Sequence, residues 1–288
     1  MNSQGRIFRF GAWGLAAGMF VVWLAPAGFA SIASLSSGGP SDLKQLPTLH
    51  ARDPARAAVL QGRGVGLVAE GKCEEALDQF RRAAALDPDN STMLINMAYC
   101  LDKLRRYEQA IAELQRARQL DPGNALIYLN WGNSLLNLKK YEEALEPLQK
   151  AGDLGPGNAL VHIDLAAAFT NLQRNKEAAR ELERASAIDP KNPSIFFNWA
   201  IVLSAEGDVA GAIQKYQRVI ELEPRNMAAY YNCAALLERI GRIEGAISTL
   251  RAALAVQPGN AMLKDILAQL EEVRRKQEPV VAAPSGSP

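Results

Sequence analysis

Residues 125–158 read ALIYLNWGNSLLNLKKYEEALEPLQKAGDLGPGN, and this stretch decides the fold because the chain repeats it. Its proline, two places before the closing asparagine, recurs every 34 residues, as does that asparagine. The prolines are Pro88, Pro122, Pro156, Pro190, Pro224 and Pro258. Proline ends one helix because it cannot continue the hydrogen-bond ladder, and asparagine caps the next helix through its side-chain oxygen. A period of 34 is typical of a two-helix unit, so the sequence predicts an all-α fold.

In this frame the chain contains six repeats, and two positions in each repeat always hold small residues. The boundaries are 57–90, 91–124, 125–158, 159–192, 193–226 and 227–260. The small residues are Ala76, Ala110, Ala144, Ala178, Ala212 and Ala246, and Gly64, Ala98, Gly132, Ala166, Ala200 and Ala234. They predict that the two helices of a repeat approach closely. One helical pair cannot bury its apolar face alone, so stacking into a solenoid with a continuous core is predicted.

The segments that flank the repeats differ in composition. Residues 31–56 are rich in Ser, Gly and Pro and are predicted to form a linker, although Asp53-Pro54 is a suitable N-cap and first residue for the first helix. Apolar residues at helical spacing in 261–278 predict a capping helix, and 279–288 is predicted to be a disordered tail.

The first thirty residues predict an export signal or a membrane anchor. Arg6 and Arg9 precede an apolar run over residues 10–30, and no further charge occurs before Asp42. Gly28 and Ala30 fit a cleavage site, whereas 21 apolar or small residues also suffice to span a bilayer. Both interpretations predict that residues from 31 onward face away from the cytoplasm: periplasmic, lumenal or extracellular.

Overall composition excludes several classes of function. The 288 residues carry 32 Lys and Arg against 31 Asp and Glu, a balance that disfavours nucleic-acid binding. Three cysteines cannot build a disulfide framework, and two histidines do not suggest a metal site. A bond between Cys73 and Cys100 stays open from the sequence. No cofactor is predicted.

The repeats resemble the tetratricopeptide repeat (TPR) family. The third repeat matches the family's signature best, through Tyr128, Trp131, Gly132, Leu135, Tyr141, Ala144, Leu148, Ala151 and Pro156. The resemblance spans residues 57–260 and implies antiparallel helix pairs in a right-handed superhelix. It also implies that the first helix of each repeat lines a concave surface, which commonly binds peptide or protein segments.

That concave surface would contain three sets of candidate ligand-binding residues. A polar row occupies one position of successive repeats: Asn96, Asn130, Asp164, Asn198 and Asn232. The apolar row beside it comprises Ile95, Leu129, Ile163, Phe197 and Tyr231, and Tyr99 and Asn133 face the same groove in this frame. The polar row looks similar to the asparagine ladder of O-linked N-acetylglucosamine transferase. The competing interpretation is an ordinary solvated polar position. Asp164 predicts a preference for a basic group or a free N-terminus.

These features predict a non-catalytic adaptor that binds an extended peptide or protein segment. The six repeats and the capping helix occupy residues 57–278, so too little of the chain remains to form a catalytic core. A structural scaffold of an envelope complex and a targeting subunit of an enzyme are the alternatives. Clamping of an acidic C-terminus, as in chaperone-binding relatives, is disfavoured because Ala58, Thr92, Leu126, Leu160, Ser194 and Ala228 stand where cations are required. The sequence does not identify the partner or the oligomeric state.

Overall fold

The computed structural model describes residues 52–277, and within that range the chain is entirely helical. The first helices of the six repeats, called A helices, are α1 (Pro54–Ala69), α3 (Ser91–Lys103), α5 (Ala125–Asn137), α7 (Ala159–Asn171), α9 (Pro193–Glu206) and α11 (Met227–Arg239). The second helices, called B helices, are α2 (Cys73–Leu86), α4 (Tyr107–Leu120), α6 (Tyr141–Leu154), α8 (Asn175–Ile188), α10 (Val209–Leu222) and α12 (Ile243–Val256). A final helix, α13 (Ala261–Gln277), follows.

Asparagine and proline set the helix boundaries as their spacing predicts. Each A helix after α1 begins behind an Asn whose side-chain oxygen accepts a backbone N–H of the first turn, as in Asn124 to Leu126 at 3.1 Å. Asn260 caps α13 in the same way. Asp53 caps α1 and Pro54 is its first residue, so the first helix starts three residues before the predicted repeat boundary at 57. A side-chain cap stabilises a helix by about 1 kcal/mol.

Every A helix is followed by a residue in the left-handed region, a feature that sequence reasoning had missed. These residues again lie 34 apart: Gly71, Arg105, Lys139, Gln173, Gly207 and Gly241. In five repeats the next N–H bonds back to a carbonyl in the last turn, as from Lys140 to Leu135 at 2.9 Å. This closure satisfies carbonyls at the helix end and turns the chain into the B helix.

The core lies where the B helices pack on the A helices, and it runs from repeat to repeat. Each A helix contacts its own B helix, and each B helix contacts the next A helix. Small residues permit this approach: a Cβ on Gly64 would lie 2.5 Å from the Phe80 ring, and one on Gly132 would lie 2.4 Å from Leu148. Phe80, Leu114, Leu148, Leu182 and Leu250 are fully buried as the large partners.

Contacts between successive A helices show which side of the stack is the inner one. Helices α1, α3 and α5 each contact the next A helix directly, whereas successive B helices approach one another less. The stack therefore curves with its A helices inside over these repeats. We call the exposed side of the A helices the A surface. No helix within residues 52–277 is both long and apolar enough to cross a bilayer. The predicted signal or anchor, most of the linker and the C-terminal tail lie outside the described residues.

Candidate functional site

The five members of the polar row occupy equivalent places on the A surface. Asn96, Asn130, Asp164, Asn198 and Asn232 lie on α3, α5, α7, α9 and α11, one helical repeat apart. All five side chains are partly exposed, neither sunk in the core nor fully in water. Their equivalent placement follows from the constant 34-residue register, because each residue stands in the same place relative to its helix cap. The arrangement supplies a line of amide donors and acceptors.

Asp164 is the exception in this row because its carboxylate is shielded from water. Burial raises its pKa from 3.8 to about 7, and a hydrogen bond from the Asn133 side chain opposes that rise only in part. The oxygen Oδ2 is inaccessible and has no hydrogen-bond partner among the described residues. Asn133 lies on the preceding A helix, α5, so the pair links two repeats across the A surface. The structure thus brings together two residues that the sequence placed in the same groove.

A second polar cluster connects α3 with α5 and was not predicted from the sequence. Ser134 donates to Asp102 at 2.9 Å, and Asn137 donates to the same carboxylate at 3.3 Å. Burial raises the pKa of Asp102, while these two hydrogen bonds and the charge of Lys103 counteract it. The cluster fixes neighbouring A helices relative to each other. The sequence spacing could have indicated this cluster, because residues 102 and 134 are 32 positions apart, which is close to the 34-residue length of one repeat.

Tyr99 lies on the A surface of α3, where the sequence placed it. It is close to this second polar cluster. Its side chain is half-buried, and the Lys103 ammonium stands 5.4 Å from the ring centroid. Burial raises the pKa of Tyr99 to about 12, with smaller contributions from Cys73, Cys100 and Asp102. The hydroxyl therefore stays protonated at neutral pH.

The predicted apolar row divides into buried and accessible members. Ile95 and Leu129 are buried in the core, 9% and 5% exposed, so their side chains offer a ligand almost no surface. The expectation that they contact a ligand is corrected on this point, because A helices α3 and α5 pack closely on their neighbours. Ile163, Phe197 and Tyr231 remain partly exposed. Phe197 packs edge-on against Tyr216, with ring centroids 5.5 Å apart.

Three large apolar side chains that the sequence had not selected as ligand contacts are exposed on α5, α7 and α9. Leu126 is 44% exposed, Leu160 is 37% exposed and Ile201 is 41% exposed. Leu126 and Leu160 each precede a member of the polar row by four residues, and Ile201 follows Asn198 by three, so all three share its helix face. The A helices in the middle of the stack therefore carry exposed apolar groups as well as the shielded carboxylate of Asp164.

The C-terminal end of the polar row is already engaged within the protein. The Asn232 side chain hydrogen-bonds the Tyr216 hydroxyl, whose pKa burial raises to about 12. The Tyr231 hydroxyl donates to the Asn260 side chain at 3.4 Å. These contacts join α11 to α10 and α13. Asn232 consequently has less hydrogen-bonding capacity left for a ligand than Asn130 or Asn198.

Several other glycine, histidine and cysteine residues have structural roles here. The three glycines Gly62, Gly64 and Gly66 lie within α1. His162 is largely buried, and its Nδ1 lies 2.7 Å from Glu181, which also pairs with Arg184 at 2.9 Å. All three cysteines are free thiols buried in residues 52–277, and that part of the chain groups no three potential metal ligands.

A depression of about 760 Å³ lies between α4, α5 and α6, away from the polar row. Trp131 and Tyr128 are among its lining residues, and the Arg118 guanidinium stands 5.2 Å from the Trp131 ring centroid. Acidic and basic side chains are mixed around it, with Glu108, Glu146 and Lys150 among them. Its walls carry no predicted ligand-binding residue and no shielded, unpaired polar group.

Known structures with the same fold include several bacterial proteins. PilF of Pseudomonas aeruginosa shares 22% identity over 75% of this chain and 98% of its own, with a TM-score of 0.62. MamA of Desulfovibrio magneticus RS-1 shares 21% identity over 61% of this chain and 99% of its own, with a TM-score of 0.56. YrrB, described as a TPR protein with an unusual peptide-binding site, shares 25% identity over 68% and 97%, with a TM-score of 0.54.

The family itself is shown by the sequence. No curated protein sequence matches the chain. The tetratricopeptide repeat family model matches residues 67–129, 135–196 and 203–270, which is well over half of the chain. These ranges cover parts of all six repeats and the start of α13. The chain belongs to the tetratricopeptide repeat family.

Proposed function

We propose that this protein is a non-catalytic adaptor that binds an extended peptide or protein segment along the A surface. The observation that carries the proposal is the polar row, whose five side chains are partly exposed and in register on successive helices. An extended segment has unpaired backbone N–H and C=O groups along its length, and side-chain amides match both. Regular spacing allows one bound segment to contact several repeats at once.

Hydrogen bonds alone give such a complex only modest affinity. Each contributes about 0.5–1.5 kcal/mol, so four or five correspond to roughly millimolar dissociation constants. The exposed side chains of Leu126, Leu160 and Ile201 supply apolar area beside the row. Burial of that area against a ligand adds roughly 25 cal/mol of favourable binding free energy per Å², which lowers the dissociation constant below the millimolar range. The likeness to YrrB, a TPR protein with a described peptide-binding site, supports the same use of the fold.

Affinity capture with the full-length chain tests this function. One column carries the natural protein, and a second carries a variant with Asn96, Asn130 and Asn198 changed to Ala. Asn232 is left in place because it bonds Tyr216. A third column carries Asn171→Ala, a change at an exposed residue of α7 that bonds only its own helix. Circular dichroism checks that all three proteins remain equally helical.

The proposal expects a partner that the natural chain and Asn171→Ala retain and the triple variant loses. Retention of every partner by the triple variant would contradict binding at the A surface. It would instead favour the structural scaffold, in which other faces of the solenoid make the contacts. Co-capture of an enzyme with intact activity would identify the protein as a targeting subunit.

We further propose that the repeats act outside the cytoplasm. The support is the sequence pattern of Arg6 and Arg9 before an apolar run, since positive charges remain on the cytoplasmic side. Fusion of alkaline phosphatase after residue 53 tests it, because that enzyme becomes active only after export. Replacing both arginines with Glu is the matched control and should reduce phosphatase activity. High activity of a cytoplasmic fluorescent protein at the same junction would contradict the location.

A further inference from the structure

Asp164 Oδ2 is a buried acceptor with nothing to accept from. Among residues 52–277 it is the side-chain oxygen that is both inaccessible and unpaired. The Asn133 side chain interacts with the same carboxylate and partly opposes the rise in its pKa, but it leaves Oδ2 without a hydrogen-bond partner. A buried polar atom without a partner destabilises a fold, and native proteins tolerate few of them. The four equivalent positions in the row hold Asn, which has no charge to bury.

No positively charged side chain among the described residues pairs with this carboxylate. The causes of its raised pKa are burial and the Asn133 hydrogen bond, with no charged neighbour among them. On its own helix, the residues one turn away are apolar: Leu160, Val161, Ala167 and Ala168. On the adjacent A helices the equivalent faces hold Asn130 and Asn133 on α5, and Phe197, Asn198 and Ile201 on α9, none of which is charged. Residues 52–277 therefore offer no positive charge to pair with this carboxylate, and a cationic group of a ligand would supply one.

We propose that the bound segment presents a primary ammonium group, from a lysine side chain or a free N-terminus, to Oδ2 of Asp164. This inference rests on the function proposed above and specifies the ligand for it. The contact neutralises the carboxylate and gives Oδ2 the donor it lacks. Residue 164 as a whole is partly exposed, and the soft terminal torsion of an aspartate lets the carboxylate turn toward an incoming group.

An ammonium group suits this place better than a guanidinium. Arginine binds carboxylates best through two parallel bonds, one to each oxygen, whereas Oδ2 alone is a buried oxygen of Asp164 without a partner. An ammonium needs only a single acceptor from the protein. Exposed Leu160, one turn before Asp164 on the same helix, provides apolar surface for the methylene stem of a lysine. The surroundings thus match a long, apolar side chain with a compact positive end.

Two libraries of random dodecapeptides on beads test the inference with the full-length protein. One library has acetylated N-termini and the other has free N-termini, so that the two sources of an ammonium are separated. Three proteins are compared: the natural chain, Asp164→Asn, and the variant with Asn96, Asn130 and Asn198 changed to Ala. A fourth, Asp164→Asn combined with Asn130→Asp, moves the carboxylate back by one repeat.

The natural chain should enrich peptides with Lys at one fixed position, or free N-termini in the second library, and Asp164→Asn should lose that preference. Replacement of the selected Lys by norleucine should weaken binding to the natural chain at least about tenfold and leave Asp164→Asn unaffected. The combined variant should shift the selected position.

The two proposals fail in different ways. Peptides that the natural chain enriches and the triple Ala variant loses, but that share no Lys or free N-terminus, would overturn this inference and leave the adaptor function standing. Equal selection of Arg in place of Lys would overturn the ammonium assignment. Absence of enriched peptides, or their retention by the triple Ala variant, would overturn binding at the A surface and this inference with it.

Discussion

The side chain of Asn133 on α5 donates a hydrogen bond to the carboxylate of Asp164 on α7, and this bond crosses from one repeat to the next on the A surface. It satisfies only part of the carboxylate, since Oδ2 stays unpaired within the described residues. The free protein therefore carries a stability cost at a place suited to a ligand. Such a cost is typical of functional sites rather than of structural ones.

Asp164→Asn should stabilise the free protein at alkaline pH. Because burial raises the folded-state pKa from 3.8 to about 7, the folded protein binds a proton in that window that the unfolded chain releases. The free energy of unfolding consequently falls as pH rises from about 4 to 7 and then levels off. An Asn does not titrate and continues the neutral row. We expect a gain of about 1–3 kcal/mol at pH 8 and little gain near pH 4.

Urea unfolding followed by circular dichroism at the two pH values measures this difference. The control is Asp265→Asn, an exposed position of α13 where the same change should alter stability by less than about 0.5 kcal/mol. An equal effect of Asp164→Asn at both pH values would show that the carboxylate is not titrating in the window.

The repeat pattern accounts for most of the fold, because its signals are local. Asn124 caps α5 and Pro122 precedes that cap wherever neighbouring helices lie, so helix positions follow from the sequence alone. The register of the polar row follows in the same way. By contrast, the burial of Ile95 and the bond between Asn133 and Asp164 depend on how far adjacent A helices rotate and approach. That geometry arises from packing over several repeats, and no single repeat encodes it.

The left-handed residues after the A helices predict a pair of opposite effects on stability. Gln173 adopts a φ of 63°, which costs a residue with a Cβ roughly 1–2 kcal/mol, whereas Gly241 holds φ 74° in the equivalent place without that cost. Gln173→Gly should therefore stabilise the protein by about 0.5–1 kcal/mol after the entropy of glycine is included. Gly241→Ala should destabilise it by about 1 kcal/mol.

Thermal unfolding of both variants beside the natural chain provides the measurement. A new Cβ on Gly241 would meet no atom within 4 Å, so a loss there reports backbone conformation and not crowding. Changes of the same sign in the two variants would contradict this account.

Close packing of α1 on α2 predicts a contrast between two glycines of one helix. A Cβ at Gly64 would lie 2.5 Å from the Phe80 ring, while one at Gly62 would meet nothing within 4 Å. Gly64→Ala should destabilise by about 1–3 kcal/mol through overpacking, because Phe80 is fully buried and cannot move aside easily. Gly62→Ala should stabilise by roughly 0.5–1 kcal/mol through helix propensity.

Urea midpoints compare the two variants directly. The double variant with Gly64→Ala and Phe80→Leu tests the cause, since a smaller side chain on α2 should make the added methyl group less costly. If Gly64→Ala costs as much in the Phe80→Leu background as it does in the natural chain, overpacking against the ring is not the reason.

The buried thiol of Cys100 should resist modification while the protein is folded. Burial is the largest cause that raises its pKa to about 12, and the neighbouring Cys73 adds to the rise. Because the thiolate is the reactive form, a thiol that stays protonated near pH 8 and is wholly shielded reacts slowly. Iodoacetamide at pH 8 should label Cys100 only after urea is added, as peptide mass spectrometry can show. Asp153→Cys, at an exposed position of α6, is the accessible comparison and should be labelled in the folded protein. Rapid labelling of Cys100 without urea, with helicity unchanged, would mean that α3 opens locally and that the core around it is looser than the packing against α2 indicates.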